Sequence, residues 1–179
     1  MTTPSPRTLL RALAAAAAAT VASLFVYAAV QQTYRTGADE PQVQLASDAA
    51  RALSGGAALA SVVPSGVVDP ALSLGPFVIV YDAANRPLAG SCRLDGALPA
   101  PPPGMLERAR RGGWNSVTWQ PRPGVRIAAV LCGVGEPDGR VVLAGRSLRE
   151  VEERESRLLV MSALAWAAML VTSVAAALL

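Results

Sequence analysis

Three arginines, Arg93, Arg122 and Arg126, fall on or beside segments rich in β-forming residues. A guanidinium fixed on a strand suits a carboxylate, which it grips through two parallel hydrogen bonds, so the first chemistry in view is anion recognition. The plain alternative is a solvated outer face. Tyr81, Trp114 and Trp119 have the character of a cleft wall, since ligand sites are mostly apolar and aromatic with a few polar contacts. Aromatic residues make up only 4% of the chain, so core packing is their default role. Cys92 and Cys132 are the candidate disulfide, which requires Cα atoms within about 7 Å of each other.

Catalysis has less to work with. The chain contains no histidine, which removes the usual neutral-pH general base and the commonest metal ligand. Ser54, Ser61 and Ser65 therefore have no evident activating partner. Asp82, Asp95 and Asp138 all sit at predicted turns, where aspartate is favoured for turn geometry alone. Two cysteines do not make a structural zinc site by themselves. No enzymatic activity, metal or cofactor is expected. All 16 basic residues are arginine, and a net charge of +3 scattered along the chain does not form a nucleic-acid footprint.

The segments that must position these residues begin at Phe77-Val78-Ile79-Val80-Tyr81, followed by the turn Asp82-Ala83-Ala84-Asn85 and a return strand from Pro87 to Leu94. The first strand is apolar on both faces, as a central strand covered from both sides would be. Pro87 confines the second to an edge or its own start. A proline tract at Leu98–Gly104 reads as a stiff connector, or less simply as a recognition ligand, and Met105–Arg111 as a short helix over the sheet. Three more strands follow, Asn115–Gln120, Val125–Gly133 and Arg140–Gly145, joined by Pro-Gly and Asp-Gly turns.

Both chain ends are apolar. Ala12–Val30 is nineteen uncharged residues, about 28 Å of helix at ~1.5 Å per residue and enough to cross a bilayer core. A signal peptide cleaved near Ala28 is the rival, but its apolar core usually runs ~7–15 residues, so a retained anchor is expected. Arg7 and Arg11 place the N-terminus in the cytoplasm. Gly37 then breaks the helix, and Asp39-Glu40-Pro41-Gln42 caps a second one whose stripe is Leu45, Ala46, Ala49, Ala50 and Leu53, with Gln42 and Arg51 on the solvent side. Residues 57–74 show no confident element. Ser147-Leu148-Arg149-Glu150 fits a capping box, opening a charged helix that runs unbroken into Leu158–Leu179, a second span of about 33 Å.

The predicted organisation is therefore a cytoplasmic segment 1–8, a span 9–30, an extracytoplasmic domain 31–157 and a span 158–179. The domain contains a helix 40–53, a sheet 77–146 and an output helix 148–157. Asp39–Ala50, Phe77–Asp82 and Ala144–Glu152 resemble parts of the extracytoplasmic PAS-like sensor modules, of PDC or single-Cache type, found in bacterial two-span receptors such as sensor histidine kinases. The resemblance implies an α+β fold with a mixed five-stranded sheet and flanking helices between two transmembrane helices. It implies a small-molecule pocket on the sheet face, beneath the loop and helix after the second strand. Tyr81, Arg93, Trp119 and Arg126 are the residues expected to line it. It also implies that the second and fourth strands are not neighbours, which counts against a Cys92–Cys132 bridge.

No kinase or methylation helix follows the second span in this sequence, so relay to a separate partner is expected. The functional expectation is a two-pass inner-membrane sensor that binds a small ligand, such as a carboxylate, or a protein, and passes the signal through the helix opened by Ser147, Glu150 and Val151. Its partners would be the lipid bilayer and a signalling protein or a second copy. The alternative is an accessory membrane protein that uses the domain as a docking or dimerisation surface.

Overall fold

Phe77–Tyr81 (β1) exposes none of its five side chains to solvent. A strand apolar on both faces is stable only where both faces are covered. The chain supplies a different cover for each. The computed structural model describes residues 5–178, the side chains of 34–40, 177 and 178 excepted. Besides β1 the strands are Pro87–Gly90 (β2), Trp114–Arg122 (β3), Val125–Gly133 (β4) and Val141–Ser147 (β5), and they form one sheet ordered β2-β1-β5-β4-β3.

All four strand pairings are antiparallel. This corrects the mixed sheet expected from the sequence. The β3–β4–β5 meander brings β5 back against β1 in the opposite sense, so no neighbouring strands run parallel. The five strands and the helix between the second and third fall close to their predicted positions. That helix, Pro103–Gly112 (α3), carries Leu106 and Ala109 into the core.

Side-chain alternation sorts the sheet residues into two layers. On one face Phe77, Ile79, Tyr81, Ile127, Leu131 and Leu143 pack beneath α3 and the loops bearing Val68, Cys92 and Leu98. On the other, Val78, Val80, Val130, Val142 and Ala144 meet Ala46, Ala49, Ala50 and Leu53 of the first helix. The two layers share no residue.

The first helix, Pro6–Ser54 (α1), is the main departure from expectation. Its backbone stays helical through Gly37 and Pro41, where a break and a new start at residue 40 were expected. Glycine and proline in a helix interior cost about 1 and 3 kcal/mol relative to alanine. The alanine-rich run before them and the packed stripe after them outweigh that cost. The side chains of Asp39 and Glu40, assigned to a cap, lie outside the described residues. Gln42 was expected in solvent but is buried, because it sits four residues before Ala46 on the same face of the helix. Its Oε1 finds no hydrogen-bond partner there.

A four-residue helix, Leu59–Val62 (α2), lies within residues 57–74, and the last helix is Arg149–Leu178 (α4). The chain divides into two compact units, one of Met1–Arg35 with Glu152–Leu179 and the other of Thr36–Val151. Pro6–Thr33 and Arg149–Ala176, which make up most of the first unit, mark helices long and apolar enough to cross a membrane. The indole N–H of Trp166 donates to Thr20 Oγ1 at 2.8 Å, tying the two helices together. Leu10, Leu13, Phe25, Met161 and Leu164 remain exposed, an outward surface suited to hydrocarbon.

Gly145 is the tightest point in the sheet. It lies opposite Phe77 in the β1–β5 ladder, and a Cβ on it would stand 2.5 Å from Phe77 Cζ and 3.0 Å from Ile127 Cγ2. Gly145→Ala should therefore overpack the core and lower the unfolding free energy by about 1–3 kcal/mol in denaturant titration. Unchanged stability would show that Phe77 has room to move.

Candidate functional site

Tyr81 and Trp119 share the core layer beneath α3, as the predicted pocket required, but both are packed rather than open. The Tyr81 hydroxyl donates to the Pro99 carbonyl at 2.7 Å, anchoring the proline tract across this face. Burial, with a smaller contribution from Cys92, raises its pKa well above the ordinary tyrosine value. Arg93 follows β2 and donates to the carbonyls of Gly90 and Cys92 at 3.1 and 2.8 Å. Arg126, exposed between Val125 and Ile127, falls by alternation on the opposite face of the sheet. The structure thus brings Tyr81 and Trp119 together and leaves Arg126 apart from them. Arg122 pairs with Asp95 at 2.6 Å on the surface.

The two cysteines are free thiols, so the candidate Cys92–Cys132 bridge, already disfavoured by the expected strand order, is not formed. Cys92 belongs to the layer under α3 and Cys132 to the layer under α1, so the sheet itself separates them. Among the described residues no group of three or more His, Cys, Asp or Glu side chains is placed to hold a metal.

The region where β5 passes into α4 is more constructed. Ser147 is buried, and its Oγ accepts the N–H of Arg149 at 3.4 Å, giving the helix start part of the expected cap. Glu150, expected to reach back to the backbone, accepts Arg146 Nη2 at 2.6 Å. Arg146 Nε also donates to the Leu74 carbonyl at 3.2 Å, and Arg149 donates to the carbonyls of Ala71 and Leu72 at 2.9 and 3.0 Å. Loop 68–76 is a tight turn, with the Asp69 carboxylate accepting the Ala71 N–H and the Asp69 carbonyl accepting that of Ser73. Its Val68 and Ala71 lie against the core under α3. Two arginines therefore fasten a loop on the α3 side of the sheet to the first turn of the last helix. Sequence reading singled out Ser147, Glu150 and Val151 here but missed Arg146 and Arg149, whose carbonyl partners lie more than seventy residues away.

Arg110 makes a second clamp. From α3 it donates to the carbonyls of Gly139 and Asp82 and to Asn85 Oδ1 at 2.7–2.9 Å, joining the β1–β2 and β4–β5 turns. On the other side of the sheet a groove of about 530 Å³ opens between α1 and the β3–β4 end, with Trp114, Ser47, Arg51 and Cys132 among its walls.

The architecture defines an α+β unit with a five-stranded antiparallel sheet, accompanied by two apolar helices of membrane-spanning length. No protein-family model, curated protein or solved structure matches the chain.

Burial, reinforced by the charge of Asp69, pushes the Cys92 thiol up to about 12, leaving it protonated at neutral pH. Iodoacetamide at pH 8 should modify Cys92 only after denaturant is added, as peptide mass mapping would show. Rapid labelling of the folded protein would contradict this packing. Asp82 and Asp138 are both held below the ordinary carboxylate range, Asp82 chiefly by the Arg86 N–H and Asp138 chiefly by the Arg140 side chain. Each depressed pKa gives stability that is complete above about pH 4 and lost as pH falls through the folded value. Melts from pH 6 to pH 2 should show this acid loss, and Asp138→Asn should make it shallower; an unchanged slope would remove Asp138 from the account.

Proposed function

We propose that the chain is a two-pass membrane protein whose middle unit is a PAS-like sensor input. The observation that carries this reading is the double fastening of loop 71–74 to the start of α4 by Arg146 and Arg149. A ligand that binds more tightly to one arrangement of that loop shifts the population of the helix start in proportion to its differential affinity. The helix so biased, α4, contains one of the two apolar stretches of spanning length. A separate partner reads the shift.

The strand order β2-β1-β5-β4-β3, with α3 after the second strand and β2 and β4 apart, supports the PAS-like assignment. Arg7 and Arg11 support a cytoplasmic N-terminus. Two spans then return the C-terminus to that side and leave the middle unit outside. The second reading, a docking or dimerisation surface that binds no metabolite, draws its support from the packed state of Tyr81 and Trp119.

The two readings separate on the full chain in detergent micelles. Thermal unfolding against small carboxylates and amino acids should reveal a ligand, which at a hundred times its dissociation constant adds about 2.7 kcal/mol. That ligand should also change the alkylation rate of a cysteine introduced by Glu152→Cys. In the Arg146→Gln, Arg149→Gln double variant the thermal shift should persist while the alkylation response disappears. A folded protein that ignores the whole panel would favour the docking surface.

A further inference from the structure

We propose that the groove between α1 and the β3–β4 end binds a small aromatic carboxylate, with its ring on Trp114 and its carboxylate on Arg51. The inference names a ligand class for the sensor reading and rests on that reading for its consequence, not for the binding itself. The groove's volume, about 530 Å³, falls within the roughly 300–1,000 Å³ usual for small-molecule sites. Val43, Ala50 and Val134 supply apolar wall.

Trp114 is 57% exposed, although it stands on the β3 ladder opposite the buried Cys132. An indole left so open beside an apolar wall offers a stacking face for a planar ring. Arg51 is the one charged side chain among the described lining residues. Its partner Asp48 lies 2.9 Å away, but the two side chains are 76% and 70% exposed, so the pair is screened and readily exchanged. A ligand carboxylate at the groove mouth can take the same guanidinium through two parallel hydrogen bonds, a stronger contact than the single Nη1–Oδ1 bond to Asp48. One helical turn before Arg51, the Ser47 hydroxyl has a 3.7 Å contact with the Cys132 sulfur, a weak interaction that an oxygen of the same carboxylate would replace. One cation, the Ser47 hydroxyl and an indole match an aromatic body with an anionic end.

Such a ligand would wedge between the sheet and α1, the helix that also contains the Pro6–Thr33 apolar stretch. It would bias α1 directly, independently of the loop fastened to α4.

The test uses the full chain in detergent micelles, titrated with phenylacetate, 2-phenylethanol and acetate by calorimetry and by tryptophan fluorescence. Phenylacetate should saturate, and the neutral alcohol and the ring-less acid should bind at least about tenfold more weakly. Arg51→Gln should weaken phenylacetate about tenfold and leave 2-phenylethanol unchanged, whereas Trp114→Leu should weaken both aromatic probes. Both substitutions are at exposed side chains, so the folded state is retained and circular dichroism checks it. Failure of phenylacetate to saturate, or a signal indifferent to Arg51→Gln as micelle partitioning would be, overturns the assignment. If another metabolite shifts the melting temperature while phenylacetate does not bind, the groove assignment falls and the sensor reading stands.

Discussion

A pair of strands that shows no side chain to water along β1 and almost none along β5 has to be roofed twice. That constraint organises the middle unit. One roof is local in sequence: the chain leaves β2, crosses the face as the Leu98–Gly104 tract, packs Leu106 and Ala109 from α3, and reaches the far edge at β3. The other is distant, supplied by residues 46–53 of α1 from the opposite end of the unit. Neither roof is large enough to fold alone, and burial of both sides of one sheet makes their formation a single event. Gly145 belongs to the same constraint, because the Phe77 ring fills the space that any β-carbon there would need.

Arginine does the fastening where loops meet. Arg93, Arg110, Arg146 and Arg149 all donate to main-chain carbonyls, and two of them, Arg110 and Arg146, reach more than one segment. Loops carry the carbonyls that strands and helices leave unpaired, and a guanidinium with five fixed donors can satisfy several of them from one stem. An ammonium on the same stem would be a point charge without that fork. The all-arginine basic set is thus put to structural use. Arg93, a candidate for anion recognition, spends Nη1 on two carbonyls of its own chain.

The sheet was legible because its signals are local. Five β-formers before an Asp-Ala-Ala-Asn turn, Pro-Gly before β4 and Asp-Gly before β5 each settle a neighbourhood within a few residues, and Asn85 takes the left-handed conformation that its turn requires. Helix continuity through Pro41 was not legible. Gly37 and Pro41 are genuine breakers by propensity, and packing against a sheet that begins more than twenty residues further on keeps the segment after them helical. Gln42 failed for a related reason: its polarity placed it in solvent, while its position on the stripe of Ala46, Ala49 and Leu53 buried it. The site was less legible still. Tyr81, Trp119 and Arg126 were grouped by residue type, and the parity of the strands, which decides the face, divides them. Trp114 and Arg51 lie more than sixty residues apart and meet only because α1 crosses the β3–β4 end.

The two arginine clamps differ in a way that bears on the proposed relay. Arg110 is partly buried and bridges two hairpin turns of one sheet, so releasing it would loosen the sheet itself. Arg149 is exposed, and Arg146 shares its guanidinium between a loop carbonyl and Glu150 with about a third of its side chain in water. Contacts of that kind are worth of order 1 kcal/mol each, comparable to what a micromolar ligand can redistribute without threatening the core. A relay needs an element that changes state at lower energy than the fold unfolds. Between the two clamps, the one at the β5–α4 junction meets that condition, and it is also the one whose helix continues into an apolar stretch of spanning length.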